Sequence, residues 1–130
     1  MAYNIIQTDK APAAIGPYSQ GIMVGQWLFV SGQIGLIPTT GELKNNNFSD
    51  EVNQTLSNMW QILKEADLDI RDIVSVDVYL TDINNFSRFN EIYSLFMGEV
   101  KPARAVVEVS ALPRGAEVEI KCIAHKNGNY

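Results

Sequence analysis

Ile73-Val74-Ser75-Val76-Asp77-Val78-Tyr79-Leu80 alternates apolar and polar residues and reads as a strand with one buried face. Val74, Val76, Val78 and Leu80 fall on one side, and Ser75, Asp77 and Tyr79 on the other. On both flanks the period changes from two to that of a helix. Upstream, Val52, Leu56, Met59, Trp60 and Leu63 form one apolar stripe, with Ser49 or Asp50 as the expected N-cap. Downstream, a helix from about Asn84 to Met97 carries Phe86, Phe89, Tyr93, Phe96 and Met97, with Asn90 on that same face.

Working outward, Tyr18 to Val24, a Gly25-Gln26 turn and Trp27 to Ser31 predict a hairpin. Ala103 to Val109 and Glu117 to His125 predict two more strands, joined as a hairpin through Leu112-Pro113-Arg114-Gly115. The order β-β-β, helix, β, helix, β-β predicts an α+β sandwich, with two helices on one face of a mostly antiparallel six-stranded sheet. In that last hairpin, Ala105, Val107 and Val109 are expected to face the helices with Val118, Ile120, Cys122 and Ala124. Arg104, Val106, Glu108, Glu117, Glu119, Lys121 and Ile123 are then expected on the far side with Ser75, Asp77 and Tyr79. A solvated sheet face has this mixed character; so does one closed by another subunit.

The 130 residues suit one domain over 1–130, with 46% hydrophobic and 19% charged residues. No apolar run is long enough to span a bilayer, and the N-terminus lacks a signal-peptide pattern. With Cys122 the only cysteine, an internal disulfide is excluded and a reducing cytoplasm is the expected location. The net charge of −5 and the absence of a basic stripe disfavour nucleic acid.

The chemistry is bounded first by elimination. One histidine (His125) and one cysteine do not make a zinc site or a convincing triad. Cys122 belongs to the apolar set of its strand and reads as a core thiol. There is no P-loop and no dinucleotide fingerprint, so neither metal nor cofactor is expected. Arg104 stands out in an Ala/Val strand, where its charge must reach water, an acidic partner or a ligand. Its planar fork suits a carboxylate, although an ion pair with Glu108, Glu117 or Glu119 is the plainer reading. Asn90 is either a buried side chain satisfying loop backbone or a site wall. Tyr18 and Ser31 are equally readable as sheet residues, and Glu119 as a solvated carboxylate or a water-orienting base.

Several segments taken together are more specific. Ala13-Ala14-Ile15-Gly16-Pro17-Tyr18-Ser19-Gln20, Val30-Ser31-Gly32-Gln33-Ile34, Pro102-Ala103-Arg104 through Val107-Glu108-Val109, Leu112-Pro113 and Val118-Glu119-Ile120 closely resemble the RidA/YjgF family. These are imine/enamine deaminases, also called endoribonuclease L-PSP or translation inhibitor. The resemblance covers essentially the whole chain. It implies a chorismate-mutase-like fold and a homotrimer built through the sheet face away from the helices, with sites between subunits. It implies hydrolysis of 2-iminobutanoate and 2-iminopropanoate to 2-oxo acids and ammonia, without a cofactor. It assigns Arg104 to the substrate carboxylate and Glu119 to the attacking water, with Tyr18, Ser31, Gly32 and Asn90 lining the cleft. Val106 stands where several members carry cysteine, so any contribution there falls to its backbone N–H. A carboxylate-binding regulatory module and, less favoured, an endoribonuclease are the alternative functions.

Overall fold

A computed structural model describes residues 3–126. Six strands form one sheet: β1 Tyr3–Ile6, β2 Gly21–Val24, β3 Trp27–Gln33, β4 Ile73–Leu80, β5 Ala103–Glu108 and β6 Val118–His125. Their order across the sheet is β1-β2-β3-β6-β4-β5. Every neighbouring pair is antiparallel except β4 and β5, which run parallel. Two helices, α1 Phe48–Glu65 and α2 Phe86–Met97, pack on one face. The architecture is therefore the expected α+β arrangement with a mixed, mostly antiparallel sheet.

The apolar stripe of α1 drives its docking. Val52, Leu56, Met59, Ile62 and Leu63 are all fully buried, and each such side chain contributes roughly 1.5–3 kcal/mol of transfer free energy. Trp60 lies at the margin of this core. The helix starts two or three residues earlier than expected: Asn47 is the N-cap, its side chain accepting from Asp50 N–H at 2.8 Å. A short 3₁₀ turn, Ile83–Asn85, precedes α2, which buries Phe89, Tyr93 and Met97. Opposite them lie Leu28 and Val30 of β3, Val76, Val78 and Leu80 of β4, and Val118, Ile120, Cys122 and Ala124 of β6.

Three local expectations are corrected. Val74 was expected on the helix face but is 41% exposed, while Ile73 is buried. The register against β6 shifts between Ile73 and Ser75, and this irregularity moves Val74 out. Tyr18 lies in the loop before β2 rather than in the strand. β5 and β6 do not form a hairpin, because β4 lies between them.

That last change reverses the faces of β5. Paired residues share a face, and Arg104 pairs with Val76, Val106 with Val78 and Glu108 with Leu80. Since Val76, Val78 and Leu80 face the helices, so do Arg104, Val106 and Glu108, while Ala103, Ala105 and Val107 face the other way. The predicted parity is thus correct for β6 and inverted for β5, as a one-residue slip always inverts it.

Candidate functional site

The predicted site residues fall into two groups on opposite faces of the sheet. The first group collects around the end of β3. Between Val30 and Gln33 the register against β6 slips, with Val30 opposite Cys122 and Gln33 opposite Ile120. The extra residue makes a bulge at Ser31-Gly32, so both Val30 and Gln33 are buried although three positions apart. Ser31 is tied down from both ends: its N–H donates to Gln20 O at 2.9 Å and its hydroxyl donates to Ser19 O.

Glu119 lies against this bulge from β6. A Cβ added at Gly32 would meet Glu119 Oε2 at 2.5 Å and Cδ at 3.0 Å. Only glycine leaves that space for the carboxylate. Burial pushes the Glu119 carboxyl above its ordinary value, with Lys121 pulling it partly back. A half-buried carboxylate raised in this way is a stronger base than a solvated one and suited to accept a proton.

Tyr18 completes this half. Its loop is fixed by Gln20, whose Oε1 accepts from Thr8 N–H at 2.7 Å. The Gln20 Nε2 donates to Thr8 O, Ala11 O and Pro12 O at 3.0, 3.3 and 2.8 Å. Gln20 is 3% exposed, so this amide replaces a strand ladder for the 8–20 segment. Tyr18 stays 53% exposed and projects over a cleft of about 320 Å³ that it shares with Ile15, Gly32, Arg114 and Glu119.

The second group sits on the helix side of β5. The Arg104 Nη1 donates to Asn90 Oδ1 at 2.8 Å. Its guanidinium carbon lies 4.8 Å from the centroid of the Tyr93 ring and 5.9 Å from that of Phe86. Two aromatic rings and an amide from α2 therefore hold the fork in place. Burial pushes the Tyr93 hydroxyl up, against the lowering pull of Arg104. Lys101 and Ser94 line the same cleft, of about 380 Å³. Of the expected glutamate partners, Glu108 accepts with its carboxylate from Ile83 N–H at 2.8 Å, and Glu119 lies on the other face.

Val106 is half-buried on the helix side. β5 is an edge strand, and Val109 N–H donates to Leu80 O of its only neighbour. Alternation along the strand then turns the backbone amides of Arg104 and Val106 toward the open edge. A ligand or another chain can reach them there.

Sequence reasoning missed the supports of both halves. Gln20 gave no periodic signal. Glu51, Thr55 and Asn58 are buried polar residues on α1; their i, i+4, i+7 spacing on the apolar face was the available clue. Tyr93 and Phe86 were read as core; Tyr93 is buried, Phe86 is 36% exposed, and both cradle Arg104. Burial raises the Cys122 thiol to about 12, in keeping with a core thiol. Among the described residues no three His, Cys, Asp or Glu side chains gather as a metal site, and no helix is long and apolar enough to cross a membrane.

The chain as a whole matches known proteins. The family model described as Endoribonuclease L-PSP matches residues 8–126. The chain belongs to that family, the RidA/YjgF family whose motifs it carries. A RutC family protein of Pyrococcus abyssi is 47% identical over 126 residues, covering 97% of this chain and 99% of that one. The human 2-iminobutanoate/2-iminopropanoate deaminase is 45% identical over 121 residues, covering 93% of this chain and 88% of the relative. Among solved structures, Escherichia coli TdcF with bound serine superposes with a TM-score of 0.91 at 39% identity, covering 95% of this chain and 99% of the other.

Proposed function

We propose that this protein hydrolyses small 2-imino acids to 2-oxo acids and ammonia, as a homotrimer whose sites lie between neighbouring subunits. The observation that carries the reading is the division of the site. One face offers a half-buried carboxylate (Glu119) packed on Gly32 beneath Tyr18; the other offers a clamped guanidinium (Arg104) with Asn90. Neither half is a complete site for an imino acid, and a subunit interface is the simplest way to join them. The deaminase names of the mammalian relatives support the reaction.

Surface character supports assembly. Away from the helices, Ile5, Ile22, Phe29 and Ile123 stand side by side across four strands, as do Tyr3, Val24, Trp27 and His125. Ile5 is 62% exposed, Phe29 46% and Trp27 45%. Contiguous apolar surface of this kind in a soluble chain marks an interface. The open edge of β5 adds unpaired backbone.

In the proposed reaction Arg104 binds the substrate carboxylate through two parallel hydrogen bonds, aided by backbone N–H groups at Gly32 and Val106. The protonated imine carbon is already electrophilic, so orientation provides most of the catalysis. Glu119 accepts a proton as water forms the new C–O bond. It returns that proton to nitrogen and takes up the hydroxyl proton as the C–N bond breaks and the C=O bond forms. That proton leaves with ammonia as ammonium, freeing the 2-oxo acid and the carboxylate. Such a group contributes on the order of 10²–10⁴-fold. Tyr18 closes the cleft. With Val106 rather than a thiol beside the site, the step draws on no side-chain chemistry at that position.

The test couples a serine/threonine dehydratase to this protein and follows the conversion of imine to 2-oxo acid. Acceleration by the wild-type chain and its loss in an intact trimer of Arg104→Ala support the proposal; full activity of that variant sinks it. The serine bound to TdcF keeps a second reading in view, a carboxylate-binding module that senses rather than converts. Ligand binding without ammonia release selects it. RNA cleavage finds little support in a chain of net charge −5.

A further inference from the structure

The strand that carries Glu119 is held at its start by a second carboxylate, from the helix layer. Glu51, in the first turn of α1, is completely buried. Its Oε2 accepts from Glu117 N–H at 2.7 Å, two residues before Glu119. Its Oε1 is buried with no hydrogen-bond partner among the described residues. On the other flank of Glu51 lies Gly35, just past the end of β3. A Cβ there would meet Glu51 O at 2.9 Å and Cγ at 3.0 Å. The chain leaving the Ser31-Gly32 bulge thus rests on the residue that grips the strand carrying Glu119.

The rest of this helix face completes the joint. The Thr55 hydroxyl donates to Glu51 O at 2.8 Å. Asn58 Nδ2 donates to Ile34 O and Leu36 O at 3.0 and 2.9 Å. Two polar side chains of α1, Glu51 and Asn58, therefore take up backbone groups at the two strand ends that build one half-site, while Thr55 bonds within the helix. A buried carboxylate without a cation is an expensive way to fill space. An apolar residue would pack there, but it would leave Glu117 N–H without its acceptor.

We propose that Glu51 is a positioning residue for the reaction: it fixes the separation of Gly32 and Glu119, and so the place of the catalytic carboxylate. This inference rests on the imine-hydrolase reading. Its role is to accept a hydrogen bond at a given reach, not to supply charge. The tolerance is small, because the Glu119 carboxylate already lies as close to Gly32 as a missing Cβ allows. Substrate capture rests chiefly on Arg104 in the other half-site.

Three variants separate this role from general packing. Glu51→Gln keeps a carbonyl acceptor of the same reach, Glu51→Met keeps the length without an acceptor, and Gly35→Ala pushes on Glu51 from its other side. Each is assayed for kcat and KM of imine hydrolysis, and by ¹³C NMR titration of the Glu119 carboxyl in the unliganded protein. Glu51→Gln is expected within about 3-fold of wild-type kcat, with an unchanged Glu119 titration. Glu51→Met and Gly35→Ala are expected to lower kcat by about 10-fold or more, with KM within about 2-fold. In both, the Glu119 titration returns toward its ordinary value. A folded Glu51→Met with wild-type kcat and titration overturns the proposal. So does a folded Glu51→Gln that loses activity, since charge would then be what matters. If Glu51→Met does not fold, Glu51→Gln and Gly35→Ala decide by the same readings. A wild-type chain that hydrolyses no imine removes the proposed function; the Glu119 titrations still decide whether Glu51 positions that carboxylate.

Discussion

Replacing Gly32 by alanine is the sharpest probe of the carboxylate half-site. The added methyl would lie 2.5 Å from Glu119 Oε2, against 3.4–4 Å for an ordinary contact. The backbone at Gly32 is outside the left-handed region, so alanine introduces no backbone strain. The clash is with the tip of a flexible side chain, which can swing aside by roughly 1 Å at a cost below about 1 kcal/mol in stability. A displacement of that size at a group orienting the attacking water costs on the order of 10²-fold in rate. That is about 2.7 kcal/mol of transition-state stabilisation. The expected result is a variant that melts within a few degrees of wild type, yet turns imine into 2-oxo acid about a hundredfold more slowly in the dehydratase-coupled assay. Gly32→Ala with a wild-type rate would refute a catalytic role for Glu119. Loss of rate accompanied by unfolding would show that the glycine serves the bulge instead.

Arg104→Lys keeps the charge but loses the fork, and should raise KM by about 10-fold or more in steady-state kinetics. Burial raises the Glu119 carboxyl above its ordinary 4.5, and a general base acts when deprotonated. The acid limb of kcat/KM should therefore have its midpoint above 4.5, with activity rising as pH increases through it; Glu119→Gln should abolish both the limb and most of the rate. Phe29→Asp alters an exposed position on the apolar sheet face and should leave the protomer folded while dispersing the proposed trimer in sedimentation velocity. A trimer that survives this substitution would place the interface elsewhere.

Much of the fold was legible because its signals are local. The alternation in 73–80 located β4 with the bounds the structure gives it, and the stripes of α1 and α2 identified which helix faces are buried. The composition of the 118–124 stretch placed Val118, Ile120, Cys122 and Ala124 correctly on the core side. Small departures came from irregularities with no composition signal, as where the β4 shift turned Val74 outward. Of the site, the motifs named Tyr18, Ser31, Gly32, Asn90, Arg104, Val106 and Glu119, but not how they group. Glu51 was hidden because a glutamate near the start of a helix ordinarily reads as a solvated partner of the helix dipole.

By itself the amino-acid order determined which segments are strands and helices, which helix stripes are buried, and which residue types are available for chemistry. These follow from side-chain periodicity and turn chemistry within a few residues. Which strand lies beside which was decided only in three dimensions. Ala103–Glu108 and Val118–His125 are neighbours in sequence and look like a hairpin, yet Ile73–Leu80 separates them. Facing in a sheet is inherited from the paired neighbour, so the parallel register with β4 moved Arg104 to the helix side, against Asn90 and Tyr93. A strand such as β5, with Arg104, Val106 and Glu108 on one face and only Ala103, Ala105 and Val107 on the other, carries too little hydrophobic contrast to specify its own orientation. Its partner specified it, and with it the division of the site into two halves.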